Sequence, residues 1–283
     1  MKISISDFIT KQKSRERIVM LTCYDYPSAC ILDAQGVDIA LVGDSVGTTI
    51  LGYADTTAVT MDDMLHHLRA VVRGIKRCFV LCDMPINTYN TPQQAIDNAR
   101  VLIEAGADAV KIENAPEAIA AIATAGIPVC GHIGYTPQTD KNNAVVKGKD
   151  FQHACALVNL ALKIESAGAF MIVFELIPRE LAALITAHLT IPTIGIGAGE
   201  TCDGQVQVIN DIIGMSDRKF KHTKLFAHSR EAIATAVSAY SAEVRAGSFP
   251  AVENSSSLNP DVQTELVQWL KTLKINGIKT DEL

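Results

Sequence analysis

The chain is short of the features that would send it to a membrane, to nucleic acid or into a disulfide framework. No stretch approaches the roughly 18 uninterrupted apolar residues of a membrane span. The N-terminus, Met1-Lys2-Ile3-Ser4-Ile5-Ser6, has no long apolar core of the secretory type and soon becomes charged, so a cytoplasmic location is expected. Charged residues make up only 20% of the sequence, with a net charge of −6, and no basic stripe marks a nucleic-acid surface. Seven cysteines are scattered without CxxC spacing, and no His and Cys pair has the spacing of zinc ligands. Cys23, Cys78, Cys82, Cys130 and Cys155 sit inside apolar segments, which reads as buried, reduced thiols. There is no Walker loop and no G-x-S-x-G elbow, and in Gly195-Ile196-Gly197-Ala198-Gly199 the third glycine of a dinucleotide fingerprint would fall on Glu200. That glycine string is read as close packing after a strand, with phosphate binding as the alternative.

What the sequence does have is four short apolar runs that each end in a carboxylate. They are Ile39–Gly43 before Asp44, Phe79–Cys82 before Asp83, Ala109–Ile112 before Glu113, and Met171–Phe174 before Glu175. Runs this short and this apolar read as strands buried on both faces, as in a parallel sheet. Strand-like runs near 18–23, 38–43, 78–83, 108–113, 127–131, 169–175, 191–196 and 205–211 alternate with helical patterns, which indicates a parallel α/β protein. Thr60 and Asp63 have capping-box spacing, and Thr91-Pro92-Gln93-Gln94 supplies an N-cap, a proline at N1 and Gln at N3 ahead of a helix stopped by Gly106. Phe151 to Ala167 reads as another helix, ended by Gly168.

Eight strands are the number that closes a TIM barrel; an open doubly wound sheet is the alternative, but it predicts one crevice rather than functional residues on many strands. In a barrel the four acids converge on one rim and repel unless a cation or a shared proton fills the gap. A hard, oxygen-liganded cation such as Mg²⁺ suits that donor set. Taken singly the acids have plain readings: Asp44 and Ser45 as a cap or turn pair, Asp83 before a Met-Pro turn, and Lys111 with Glu113 as a self-neutralising pair on one strand face. His132 is the sole strand-end histidine.

Read in order, the strings Cys23-Tyr24-Asp25, Val42–Gly47, Asp83-Met84-Pro85, Gly106–Glu113, Ile127–Gln138 and Ile191–Gly199 with Cys202-Asp203-Gly204-Gln205 resemble the ketopantoate hydroxymethyltransferase family, over about residues 3 to 245. The resemblance implies a (β/α)8 TIM barrel of the phosphoenolpyruvate mutase/isocitrate lyase superfamily, with an N-terminal helix and extra C-terminal helices, assembled as a homo-oligomer, a decamer or similar. Residues 1–247 would form the catalytic barrel, and 248–283 a polar linker with an amphipathic helix bearing Val262, Leu266, Trp269, Leu270 and Leu273, which should pack on the barrel or a neighbouring subunit.

The resemblance further implies transfer of a hydroxymethyl group from 5,10-methylenetetrahydrofolate to 3-methyl-2-oxobutanoate, with Mg²⁺ held by Asp44, Asp83 and Glu113. Asp44, Ser45, Asp83, Lys111 and His132 would surround the keto acid, and Glu175, in Glu175-Leu176-Ile177-Pro178, would be the catalytic base. Its partners are then small molecules, a 2-oxo acid and a folate, with no nucleic acid and no membrane.

Departures from the family pattern lie beside these positions: Ile86 for Phe, Thr88 for Ser, Tyr135 for Leu, Asn114-Ala115 for a Gly pair, and Asn142-Asn143 and Lys147-Gly148 where the family carries a Gly pair and Gln-Gly. Loss of glycines is expected to give those loops a different path. Two alternatives stand beside this reading: a related barrel enzyme acting on another 2-oxo acid, as an aldol-type transferase or C–C lyase, and a non-catalytic barrel whose acids are structural. Pro128-Val129 ahead of Cys130-Gly131-His132 argues against the isocitrate-lyase branch.

Overall fold

The computed structural model describes residues 1–140, 144–217 and 220–273. Eight parallel strands, β1 (Ile18–Thr22), β2 (Ile39–Val42), β3 (Phe79–Asp83), β4 (Ala109–Glu113), β5 (Val129–Gly134), β6 (Met171–Glu175), β7 (Thr193–Ile196) and β8 (Gly204–Gln207), close in sequence order, with β8 pairing back to β1. The chain is therefore a (β/α)8 barrel, and the open-sheet alternative falls away. Helices α1 (Ile5–Ser14), α2 (Tyr26–Ala34), α3 (Val46–Thr49), α4 (Met61–Gly74), α5 (Pro92–Glu104), α6 (Pro116–Thr124), α7 (Phe151–Ser166), α8 (Arg179–His188) and α9 (Ile209–Ile212) occupy the connections; α10 (Ser229–Ala246) and α11 (Pro260–Thr272) follow. The start signals act as the sequence suggests. Thr60 and Asp63 form a reciprocal capping box at α4, and Thr91 caps α5 ahead of Pro92.

Alternation along each strand sorts the core into two layers. Ile39, Leu41, Phe79, Leu81, Ala109, Cys130, Met171, Val173 and Ile194 fill the barrel interior, while residues such as Val80, Val110, Ile112, Ile133, Ile172 and Phe174 face the helices. The helix α1 closes the amino-terminal mouth: fully buried Phe8 meets Phe79 edge to face, with ring centroids 5.2 Å apart. Continuing the inward set to the carboxyl ends brings Asp83, Lys111, Glu113, His132 and Glu175 to the opposite mouth.

At the amino-terminal rim a different set of acids secures the strands. Val19 N donates to Asp38 Oδ2 at 2.9 Å, Val80 N to Asp108 Oδ2 at 2.8 Å and Thr193 N to Asp203 Oδ2 at 2.8 Å. Asp33, near the end of α2, accepts from the amides of Arg77 and Cys78 at 2.7 and 2.8 Å.

The last expected strand overshoots: the apolar run continues to Asp211, but β8 ends at Gln207 and the chain turns into α9. The Ile209 amide there donates to Thr22 Oγ1 at 3.0 Å instead of joining the ladder. All seven cysteines are free; Cys23, Cys78, Cys82, Cys130 and Cys202 are buried, whereas Cys30 and Cys155 are half-buried, so the expectation for Cys155 is corrected. The cause is that α7 turns that position toward its partly exposed side.

The chain divides into two compact units, Met1–His228 and one beginning at Ser229. In the second, α10 and α11 have no buried residue; Val262, Leu266 and Trp269 of the expected apolar stripe are exposed, and Tyr240 packs edge-on against Phe249. Among the described residues no helix is long and apolar enough to cross a membrane.

Candidate active site

The barrel register determines which charged groups meet. Asp83 lies beside Lys111 across β3 and β4, Glu113 beside His132 across β4 and β5, and Gly134 beside Glu175 across β5 and β6. Neighbouring strands are about 4.8 Å apart, closer than the roughly 6.6 Å between residues i and i+2 of one strand. Lys111 accordingly pairs with Asp83, Nζ to Oδ1 at 2.8 Å, and the expected self-neutralising pair of Lys111 and Glu113 is not formed. Glu113 instead takes His132, Oε1 to Nδ1 at 3.1 Å, and the other imidazole nitrogen lies 3.3 Å from Glu175 Oε2. The imidazole thus sits between two carboxylates.

All seven residues singled out in the sequence, Asp44, Ser45, Asp83, Lys111, Glu113, His132 and Glu175, line one cavity of about 100 Å³ at the carboxyl mouth. A second cavity of about 350 Å³ lies against it and shares Ser45, Thr56, Pro137, Glu175, Ile196 and Val208 as common wall. Glu175 is the least enclosed of the acids, its side chain 19% exposed against 4% for Asp83 and 2% for Glu113.

Charge in this small space is unbalanced: four carboxylates face Lys111 and His132. Burial, then Asp83 and Glu113, push Asp44 up to about 8, against the smaller opposing pull of Lys111 and Gln138. Burial works against a charge on Lys111, but Asp83, Asp44 and Glu113 outweigh it and hold the ammonium above its ordinary range. Burial and Lys111 likewise oppose charge on His132, yet Glu113 and Glu175 raise it to about 9, so the ring is an imidazolium at neutral pH. Asp44 therefore keeps a proton unless a further positive charge joins the cluster.

Mg²⁺ fits that need on chemical grounds. Among the described residues no three His, Cys, Asp or Glu side chains stand as a ready cage. Magnesium does not require one, because it commonly takes one or two carboxylates and completes an octahedron with water and substrate oxygens. Asp44, Asp83 and Glu113 bring buried carboxylates from the ends of three neighbouring strands into one small cavity, which is the hard-oxygen donor set that magnesium takes.

The site also contains groups that the sequence pointed to only as parts of longer strings. Tyr24 OH and Ser45 Oγ are hydrogen-bonded at 2.8 Å; burial pushes the phenol up to about 12, so it stays protonated. Gln138, 1% exposed, donates from Nε2 to Asp44 Oδ2 at 2.8 Å and from its backbone to Glu113 Oε2 at 3.2 Å. Both belong to the strings Cys23-Tyr24-Asp25 and Thr136-Pro137-Gln138; a neutral residue amid acids carries no signal by itself.

Backbone geometry holds Glu175 in place. Its carbonyl accepts from the Tyr135 amide at 2.8 Å, and the next residue, Leu176, sits at φ +47°, a costly conformation for a side chain of that size. Opposite stands Gly134 at φ +101°, where a Cβ would lie 2.1 Å from the Glu175 carbonyl oxygen. The glycine-rich string after β7 has the packing role: Gly197, at φ +65°, lies against Leu176 and His222.

At the altered positions, Asn114 keeps φ +48°, the left-handed conformation that a glycine would supply. Positive φ is thus still reached at Asn114 without a glycine, because Asn tolerates this region better than other side chains. Its side-chain amide donates to Thr136 Oγ1 at 2.9 Å. Tyr135 lines the larger cavity, and Lys147 pairs with Asp140 at 2.6 Å. Asn142 and Asn143 lie outside the described residues.

Comparison with known proteins agrees with the barrel fold. The model of the ketopantoate hydroxymethyltransferase family matches residues 2–252. A protein of Dehalococcoides mccartyi (strain CBDB1) named 3-methyl-2-oxobutanoate hydroxymethyltransferase is 49% identical over 274 residues, covering 94% of this chain and 98% of its own. One of the same name from Chloroflexus aurantiacus (strain ATCC 29366 / DSM 635 / J-10-fl) is 49% identical over 267 residues, covering 92% and 95%. Among solved structures, a phosphonopyruvate hydrolase in complex with oxalate and Mg²⁺ is similar with a TM-score of 0.60 at 13% identity, over 94% of this chain and 99% of that one. A 2,3-dimethylmalate lyase of the phosphoenolpyruvate mutase/isocitrate lyase superfamily gives 0.58 at 15%, over 95% and 100%. At such identities the likeness is one of fold. The sequence matches go further, and the chain belongs to the ketopantoate hydroxymethyltransferase family.

Proposed function

We propose that this protein forms ketopantoate by transferring a hydroxymethyl group from 5,10-methylenetetrahydrofolate to 3-methyl-2-oxobutanoate, with Mg²⁺ held by Asp44, Asp83 and Glu113. The observation that carries this reading is the small, acid-crowded cavity with Glu175 on the wall it shares with the larger one. When bound, Mg²⁺ would act as a Lewis acid toward the negative charge that develops on the keto oxygen.

The chain's own residues do the rest. Lys111 offsets the acids and presents an ammonium to the substrate carboxylate. Ser45, oriented by Tyr24, offers a hydroxyl on the cavity wall. Glu175 accepts the proton from C3, and the electrons of that C–H bond become available to form the new C–C bond to the folate-borne methylene carbon. Both C–N bonds of the methylene bridge break, one as the C–C bond forms and one as the oxygen of water adds; the two freed nitrogens take the proton held by Glu175 and the proton lost from water, and tetrahydrofolate leaves. The His132 imidazolium, 3.3 Å from Glu175, steadies the carboxylate while it is charged. The larger cavity is the space for the donor, which carries the one-carbon chemistry while the protein positions it.

Exchange of the C3 proton for deuterium in 3-methyl-2-oxobutanoate tests the core of this reading without the folate. Wild type should exchange in Mg²⁺ and not in EDTA, and Glu175→Gln should slow exchange by roughly 10²–10⁴-fold. Equal exchange by both proteins would sink the base assignment. Exchange without product from methylenetetrahydrofolate would shift the reading to another acceptor or donor, with Tyr135 the first residue to examine.

A further inference from the structure

Gln138 bears no charge, yet it ties together three of the elements that present the acids. Its Nε2 donates to Asp44 Oδ2, beyond β2, at 2.8 Å and to the Met84 carbonyl, beyond β3, at 3.0 Å; its backbone amide donates to Glu113 at the end of β4. A backbone carbonyl can only accept, so the NH₂ end of the Gln138 amide must face Met84 and Asp44, and its oxygen must point away. There the Tyr89 hydroxyl donates to Gln138 Oε1. Tyr89 is half-buried beside the ends of β3 and β4, and its hydroxyl has the proton that this bond requires. Turning the amide over would set oxygen against oxygen at Asp44 and Met84. Among the described residues, the hydrogen bond from Gln138 is the one that fixes the Asp44 carboxylate, since Lys111 Nζ is placed on Asp83.

We propose that Tyr89 and Gln138 form an orientation lock, in which Tyr89 sets the sense of the Gln138 amide and Gln138 holds the Asp44 carboxylate where it can bind a divalent cation. This rests on the cation reading given above. Gln138 is a positioning residue and not a ligand, because its only oxygen with lone pairs to spare in the side chain is turned to Tyr89. Tyr89 acts one step further out, through Gln138. Partners of this kind are worth roughly 10–100-fold in metal affinity.

Magnesium alone, titrated calorimetrically into the full-length protein without substrate or folate, tests the lock. Gln138→Met, which keeps length and loses both polar ends, should weaken Mg²⁺ binding by roughly 10–100-fold, and Tyr89→Phe, which removes a single oxygen, by about 10-fold. The double variant should bind no more weakly than Gln138→Met, because the two act in series. Thermal unfolding in EDTA, followed on the same samples, separates loss of folding from loss of affinity. Should Gln138→Met fail to fold, Tyr89→Phe decides by itself. Variants with wild-type affinity overturn the lock, and so do losses that multiply in the double variant. A wild-type protein that binds no Mg²⁺ overturns both the lock and the cation reading, which distinguishes the two failures.

Discussion

The two rims of the barrel carry the same residue type to opposite effect. At the amino-terminal rim Asp38, Asp108 and Asp203 each accept from the amide of a neighbouring strand, and Asp33 accepts from two amides leading into β3. Near the start of β1, β3 and β7 the carboxylate supplies an acceptor for an N–H at the edge of the ladder. At the carboxyl rim Asp44, Asp83, Glu113 and Glu175 face one another across a small cavity. The consequence is legible in their protonation. Burial disfavours charge on Asp33, but the Cys78, Arg77 and Lys76 amides outweigh it and hold that carboxyl below its ordinary range, whereas Asp44 is pushed up to about 8. An acid at the start of a strand is structure; acids gathered at strand ends are stored repulsion that a proton or a cation can relieve.

Substitutions can break or sharpen this contrast. The largest effect should come from Asp44→Asn. Activity should fall by about 10²–10³-fold, as when a preorganised electrostatic group is removed. The metal-free protein should nonetheless unfold with about 0.5–2 kcal/mol more stability, since folding no longer has to protonate a buried carboxyl. Denaturant melts in EDTA alongside turnover measure both, and a destabilised variant would contradict the stored-repulsion view.

Next comes Gly134→Ala, which alters no acidic side chain. Its Cβ must displace the Glu175 carbonyl, 2.1 Å away, so the proposed base moves. Misplacement on the order of 1 Å costs about 10²-fold in rate, to be read as lost C3 exchange with Mg²⁺ affinity retained.

The smallest effect belongs to the other rim. Asp33→Ala should cost about 1.5–3 kcal/mol at pH 7, because it strands two amides, and leave turnover at the wild-type level. The folded pKa of Asp33 lies below its unfolded value, so its contribution is present above the unfolded pKa and lost as pH falls through the folded one. Wild type and variant should therefore converge in acid; urea melts from pH 7 to pH 3 follow the difference.

Much of this architecture was readable before any coordinates. The strands β2 to β6 are buried along nearly their whole length because helices cover their outer faces, and their acids stand out against a mainly apolar background. The β1 and β8 strands are harder to read: Val19 and Gln205 are exposed on their outer faces, and the apolar run after Gln207 turns into α9. Pairing was not readable at all. Lys111 and Glu113 look like partners in the sequence, but the stagger between strands gives Lys111 to Asp83 and Glu113 to His132. Gln138 and Tyr89 are brought together by two different loops, and no spacing in the chain announces a contact 49 residues apart. Asn114 shows the limit of composition as a guide to conformation, since the backbone there takes a positive φ without a glycine.

The nesting of the two cavities has a kinetic meaning. The smaller one shares Ser45, Thr56, Glu175 and Ile196 with the larger, so a molecule seated in the larger stands across the wall through which they join. If the proposed reaction takes place here, the small keto acid would have to seat before the bulky carrier and leave after it. The carrier would then be a stopper as well as a donor: present too early, it would keep its own acceptor out.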